Sequence, residues 1–570
     1  MKKHLLSTIS GALLLVITAG AQISYDWGVG LGSTGTDQGR CATLEGNNTV
    51  VTTGIFDGTV DFDAGAGTTS LTNSGGTSDM YVTIYNSIGS FLSVMQIAGS
   101  GVEIPRYLID DDTGNFYITG RFTGTADFDP SGSTTSLSTA GSDDIFLINL
   151  TSSGSLVWAN RIGGTGSDQG WGVAFASDGN ILVCGHFSGT VDFDPSASTA
   201  NLTSAGGTDI FLAKYNASTG AYIWAENIGG SSNDRATSIS DDGSGNIYLC
   251  GLYAGTVDMD PGAGTASHSS AASSIDIFVN QYTSTGGFNW SVTVGASGND
   301  AALDLAVYSG DVYVTGGIGQ GTVDFDPSAG TTSMTNSGSG LDAFLVKYTS
   351  AGNFSWLVPL ASSGPDLGQA VRTDTNGYIY VSGNFSNTID FDPSGSTANQ
   401  SSNGGLDLFV ARYNSSGTYK TANGFGSSAG DDEGPGLAIN GGSGLIYLTG
   451  YFTNTVNFDP SGTANLTASG QDIYIVRYSW TSPLRNAASL FNGNNNPYPN
   501  PSTGIIYFDA LPENAVVEIY SSDGKKAGSW MAGSEQIRAL DLSSFENGIY
   551  LIRVTTAEGL VQTEKMVLQH

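Results

Sequence analysis

Paired aspartates are the residues whose type and spacing could do chemistry. A tetrapeptide close to Asp-Phe-Asp-Pro recurs seven times in the chain. It supplies Asp61 with Asp63, Asp127 with Asp129, Asp192 with Asp194, and Asp258 with Asp260. Asp324 with Asp326, Asp390 with Asp392, and Asn457 with Asp459 complete the series. Carboxylates two apart on an extended strand face the same side, so each pair could share a hard cation such as calcium. The same residues also suit turns, because Asp caps nearby backbone amides and Pro fixes a bend. Asn457 fits the turn more easily than the metal, and the spacing is not that of a helix-flanked calcium loop. Both readings stand at this stage, and calcium is the one cofactor that the sequence suggests.

Other reactive constellations are sparse. His4 and His570 lie at the ends, and His186 and His268 occupy unrelated positions. There is no His-Glu-x-x-His, phosphate loop or dinucleotide fingerprint. The Gly-x-Ser-x-Gly match at Gly426 to Gly430 lacks a following helix and is a chance product of Gly and Ser abundance. No residue is singled out as catalytic. An enzyme using two carboxylates is still open, but near-equivalent copies favour a repeated binding or scaffold role. Cys41, Cys184 and Cys250 are odd in number and read as small buried apolar residues.

Two further series show what must position the aspartates. Asp79, Asp144, Asp209, Asp276, Asp342, Asp407 and Asp472 each open an alternating apolar run. A Trp followed about ten residues later by Asp recurs at Trp27, Trp158, Trp224, Trp290 and Trp356. The tetrapeptides are spaced by 66, 65, 66, 66, 66 and 67 residues, and with Ser93 and Ala422 filling the Trp place in two degenerate copies the three markers agree on seven copies. The Asp residues before and within these runs read as caps on turn amides, or as a ring of carboxylates at a mouth. The Trp series reads as packing between copies rather than as a platform for sugars.

Each copy predicts four strands. In the third they are Gly172 to Ala176, Ile181 to Phe187, Asp209 to Tyr215 and Tyr222 to Ile228. Helical periodicity is absent. Seven four-stranded antiparallel units predict an all-β fold with a seven-bladed propeller at residues 22–480. The first strand, around Trp27, supplies the piece missing after Asp472 to Tyr478, which predicts non-covalent ring closure. The acidic tetrapeptide falls in a long connection between the second and third strands, so seven acidic hairpins or loops are expected.

The elements Trp224, Gly229-Gly230, Asp234, Gly245-Asn246-Ile247-Tyr248 and Gly251 resemble the bacterial seven-bladed propeller (SBBP) repeat family. That resemblance implies a propeller and no particular activity. A polar linker is expected over residues 481–496. From 497 to 570 the repeat ends and short strands predict a small Ig-like antiparallel sandwich. Tyr498-Pro499-Asn500-Pro501, Val517-Glu518-Ile519-Tyr520, Asp523-Gly524-Lys525, Leu540-Asp541-Leu542-Ser543, Gly548-Ile549-Tyr550 and Lys565-Met566-Val567 resemble a type IX secretion C-terminal sorting domain. The resemblance implies passage across an outer membrane, with the type IX machinery as partner.

The amino terminus carries Lys2 and Lys3, an apolar run and Ala19-Gly20-Ala21, which predicts a signal peptide at residues 1–21. No later run is long enough for a transmembrane helix. Nineteen Lys and Arg face 52 Asp and Glu, a formal charge of −33 that repels nucleic acid and anionic lipid and attracts cations. The expectation is an exported binding or adhesion scaffold for an extracellular glycan or protein. A secreted enzyme on polysaccharide or protein, or a passive matrix component, is the alternative.

Overall fold

The computed structural model describes residues 22–271, 274–328, 330–336, 338–441, 444–481, 500–507, 516–521, 525–531, 539–555 and 561–569. The expected signal peptide, nearly all of the expected linker, and Tyr498, Pro499, Asp523 and Gly524 lie outside the described residues. Ile23–Trp480 forms one compact unit, and the C-terminal residues belong to another.

The third repeat shows why the sequence folds as it does. Its strands a to d are Gln169–Phe175, Ile181–Asp192, Asn201–Tyr215 and Tyr222–Gly230, hydrogen-bonded in that order and antiparallel. Between a and b, Asp178 Oδ1 accepts the Asn180 amide at 3.1 Å, and Gly179 takes φ 79°. A left-handed residue closes such a turn without the steric cost of a Cβ. Strands b and c run further than predicted because their pairing continues beyond a bulge at Ser188/Thr190 into the connecting hairpin.

Seven four-stranded sheets of this kind make up the propeller. The last contains Gln22–Leu31 paired to Asn465–Thr481, so the first strand of the ring completes the final blade. The seam also repeats the other joints. Asp168 N donates to Asp143 O at 2.9 Å and Asp234 N to Thr208 O at 2.7 Å; across the seam Asp37 N donates to Gln471 O at 2.8 Å. An ion pair, Arg477 Nε to Asp26 Oδ2 at 2.9 Å, holds the closing strand to its neighbour.

The core lies between the blades. Seven apolar clusters fill the seven interfaces; one joins Val50, Phe56 and Tyr81 of the first blade to Tyr447, Ile473 and Ile475 of the last. The Trp residues of the repeated series stand on the outer strands. Trp158 Nε1 donates to Ala217 O of the next blade at 2.9 Å, and Trp290 and Trp356 make the equivalent bonds at 3.0 and 3.1 Å. Gly220, at φ 68°, lies over Trp158, where a Cβ would come within 2.8 Å of the ring. These tryptophans therefore lock neighbouring blades together.

The C-terminal unit has a four-stranded sheet containing Val516–Ser521, Lys526–Met531, Gly548–Thr555 and Val561–Leu568. A two-stranded pair, Ile505–Tyr507 with Ala539–Asp541, accompanies it. Ile506, Val517, Ile519, Leu540, Ile552 and Met566 share its core. Alternation along one strand buries Tyr550, Ile552 and Val554 while Ile549 and Leu551 face outward.

Candidate functional site

The paired aspartates sit at the tips of the b–c hairpins. The strand ends at the first Asp of each pair, so the second Asp occupies a turn rather than the same strand face. Each first Asp Oδ1 accepts the amide of the second Asp at 3.0–3.2 Å. It also accepts the amide eight residues on at 2.8–2.9 Å. The second Asp Oδ1 then caps the amide two residues further along at 2.8–3.0 Å. In the seventh copy the Asn457 Oδ1 takes the same two amides at 3.1 and 2.8 Å, and Asp459 caps Ser461 at 2.9 Å. A neutral amide oxygen thus does this work as well as a carboxylate. Among the described residues, no three His, Cys, Asp or Glu converge as a metal site would require.

The residue between the two aspartates explains the rest of the motif. Phe62, Phe128, Phe193, Met259, Phe325, Phe391 and Phe458 are all fully buried. In six blades a Tyr at the end of strand c donates its hydroxyl to that residue's carbonyl, as Tyr215 does to Phe193 O at 2.9 Å. The tetrapeptide is a strap that fastens the hairpin to its blade. In two cases the hairpin also pairs with the outer strand of the preceding blade.

The aspartates before strand a organise the blade joints. In six copies (Asp37, Asp168, Asp234, Asp300, Asp366 and Asp432) Oδ2 accepts an amide four or five residues upstream at 2.5–3.0 Å. Oδ1 accepts another from the end of strand b at 2.7–3.1 Å. Burial pushes the carboxyls of Asp168, Asp234 and Asp300 up to about 6, against the pull of these amides. With almost no exposure, they cap turns and do not form an open carboxylate ring. The second blade departs from the pattern. Glu103 stands in the Asp position, is fully buried, and neither of its oxygens has a hydrogen-bond partner. Burial, then the charge of Asp79, push its carboxyl up to about 8.

The central channel is where the repeats differ most in chemistry. Its walls are the seven a strands: Gln38–Glu45, Glu103–Asp110, Gln169–Phe175, Arg235–Asp241, Ala301–Tyr308, Leu367–Thr373 and Glu433–Asn440. A cavity of about 290 Å³ lies where these strands begin, the end at which strands b leave for the hairpins. The residue three past the marker acid lines it in every blade, as Arg40, Arg106, Trp171, Thr237, Leu303, Gln369 and Pro435. Arg235 adds a fourth side chain of note. The guanidiniums of Arg106 and Arg235, from the blades flanking Trp171, lie 4.2 and 4.1 Å from its ring centroid.

Towards the other end the cavity meets Tyr107 and Arg372. Arg372 Nη1 is bound to Asp304 Oδ2 at 2.5 Å, and Ser238 Oγ donates to Asp304 Oδ1 at 2.7 Å. Arg40, Arg106 and Arg235 make no ion pair among the described residues. Burial, and then the charges of Arg40, Arg121 and Arg235, pull the Arg106 guanidinium down to about 9. His186, buried beside them, is pulled down to about 3 by burial and then Arg235, so it is neutral at ordinary pH.

Sequence reasoning did not find this arginine group or Glu103. The signal was available in the repeat itself: the position three past the acid takes six residue types in seven copies, while the strand around it persists.

Comparison with known proteins adds the export signal. Residues 496–569 match the family described as the secretion system C-terminal sorting domain. The chain carries a type IX sorting tail. That tail assigns the protein to the cell surface or the extracellular space and implies contact with the type IX machinery.

Two curated relatives match in part. The regulatory protein FlaEY of Caulobacter vibrioides is 27% identical over 324 residues, covering 53% of this chain and 32% of that protein. An uncharacterized WD repeat-containing protein, L264, of Acanthamoeba polyphaga mimivirus is 28% identical over 227 residues, covering 34% and 16%. The chain therefore spans a third or less of either relative's length. Among solved structures, the Dos1 propeller is similar at 8% identity and a TM-score of 0.38, covering 80% of this chain and 95% of that one. PorZ, a surface component of the type IX secretion system of Porphyromonas gingivalis, is similar at 12% identity and a TM-score of 0.21, covering 93% and 81%. No described helix is long and apolar enough to cross a membrane.

Proposed function

We propose that this exported propeller is a binding scaffold for an extracellular glycan or protein, with the central cavity as its binding site. The observation that supports this reading is the break in symmetry at the cavity. Six of the seven blade joints use one Asp for one purpose, yet the adjacent channel position carries six different residue types in seven copies, with Arg and Trp among them. Repetition alone does not call for this, because a residue needed only for blade packing would be the same in each copy. The blade-joint carboxyls that burial makes weaker acids are engaged by amides or, at Glu103, sealed from solvent, which favours binding over acid–base turnover there.

The test is a glycan array combined with a polysaccharide and protein hydrolysis screen, using the full chain recovered from outside the cell. Retention without turnover supports a scaffold. Turnover would instead support a secreted hydrolase, and neither retention nor turnover would favour a passive matrix protein.

A further inference from the structure

We infer that the central cavity takes a small oxyanion, a carboxylate, sulfate or phosphate group, on the guanidiniums of Arg40, Arg106 and Arg235. The inference rests on the cavity being a binding site and adds the chemical class of what enters it.

Three like charges converge in a channel whose nearby carboxylates are already engaged. Asp304 is held by Arg372 and Ser238, Asp143 by Arg121 and Gln169, and Glu433 accepts Gln369 Nε2 at 3.1 Å. The Nε atoms of Arg40, Arg106 and Arg235, and Trp171 Nε1, are buried donors without acceptors. Buried donors of this kind are costly unless something accepts from them. Guanidinium forks match the paired oxygens of carboxylate, sulfate and phosphate. The chain has only 19 Lys and Arg against 52 Asp and Glu, yet four arginines line this one cavity. The surrounding negative field makes non-specific anion adsorption unfavourable. A volume of about 290 Å³ suits a monosaccharide-sized acid, and the Trp171 and Tyr107 rings offer apolar surface to its remainder.

Isothermal titration calorimetry on the full chain at fixed low ionic strength tests this. The probes are sulfate, phosphate and D-glucuronate, with chloride and D-glucose as controls. Glucose differs from glucuronate in lacking the carboxylate. At least one of the three anions is expected to bind at one site per chain, while both controls fail. Arg106→Gln and Arg235→Gln are each expected to weaken binding about tenfold or more, whereas Arg161→Gln on an outer strand leaves it unchanged. Thermal melting checks that each variant is folded. Trp171→Phe, which keeps an aromatic face of smaller area and removes the donor, supplies a gentler variant with an expected smaller loss. No binding of any anion up to about 10 mM, an affinity weaker than roughly 3 kcal/mol, would overturn the inference. So would binding indifferent to all three cavity substitutions. If the array shows only neutral glycans bound, the scaffold reading survives and the oxyanion inference fails.

Discussion

Glu103→Gln isolates the one joint at which the blade pattern breaks. Elsewhere an Asp at this position accepts two amides; in the second blade the extra methylene carries the carboxyl past them. Thr123 N instead donates to Val102 O at 3.0 Å, and Val102 N to Thr123 Oγ1 at 3.0 Å. The Glu103 carboxyl is thus buried without partners and is raised from 4.5 to about 8. A carboxyl raised in the fold binds its proton more tightly there than in the unfolded chain. Its contribution is full below the unfolded value and is lost as pH rises through about 8. Between pH 5 and pH 8 the loss comes to roughly 3–4 kcal/mol. A unit of about 460 residues has an unfolding entropy near 1 kcal/mol per degree. The melting temperature of Glu103→Gln should therefore gain about 3–4 °C on the parent between pH 5 and pH 8. The amide is the same shape and does not ionise, and the raised aspartates of the other joints are common to both proteins, so their effects cancel. Scanning calorimetry at several pH values reads the gap directly. Parallel curves, or a gap that closes as pH rises, would refute the account of this joint.

Tyr215→Phe removes the hydroxyl bonded to Phe193 O and leaves a buried carbonyl, which should cost about 1–2 kcal/mol in denaturant unfolding. A change near zero would mean that the strap does not hold the hairpin. Asp192→Asn should alter stability by less than about 0.5 kcal/mol, because Asn457 already fills that role in the last blade. Calcium at the Asp pairs is a separate proposal. If it holds, millimolar calcium raises the melting temperature of the parent and less so that of Asp192→Asn; an unchanged parent rules it out. Deleting residues 497–570 should keep the protein from reaching the cell exterior, as judged by fractionation and protease accessibility; continued surface delivery would count against the tail as the signal.

The fold was largely legible because propeller architecture depends on repeated burial, and burial leaves periodic marks. The Asp before strand a recurs in six copies, the Asp-led apolar run in all seven and the Trp of the outer strand in five, each serving the same interface wherever it stands. Ring closure was legible for the same reason: the strand at Trp27 and the strand at Asp472 each lacked a partner in sequence. The tetrapeptide was harder to read. Its function turns on where the strand ends, and Asp192 ends it; a longer strand would have put Asp194 on the same face as Asp192. The cavity was hidden for a geometrical reason. Arg40, Arg106 and Arg235 are spread across almost two hundred residues and share no local motif. Only the knowledge that strand a is innermost brings them together.

Sevenfold duplication sets up a particular constraint on where a specific site can arise. Positions between blades are tied to a repeated partner, so a change there is paid for at one joint, as Glu103 shows. Hairpin tips are tied by their own turn bonds, which explains why they vary so little. The channel-facing residue of strand a faces its six counterparts, and where it bonds the next blade, as Thr237 does to Ala302 O at 2.9 Å and Gln369 to Glu433 Oε2 at 3.1 Å, the bond differs from copy to copy. Seven side chains converge there without sharing one repeated bond, so each is less tied to the pattern than a residue at a blade joint. A mixture of Arg, Trp, Thr, Leu, Gln and Pro there is what a single ligand of definite shape and charge would require. Seven matching ligands, one per copy, would instead require the same residue in every blade.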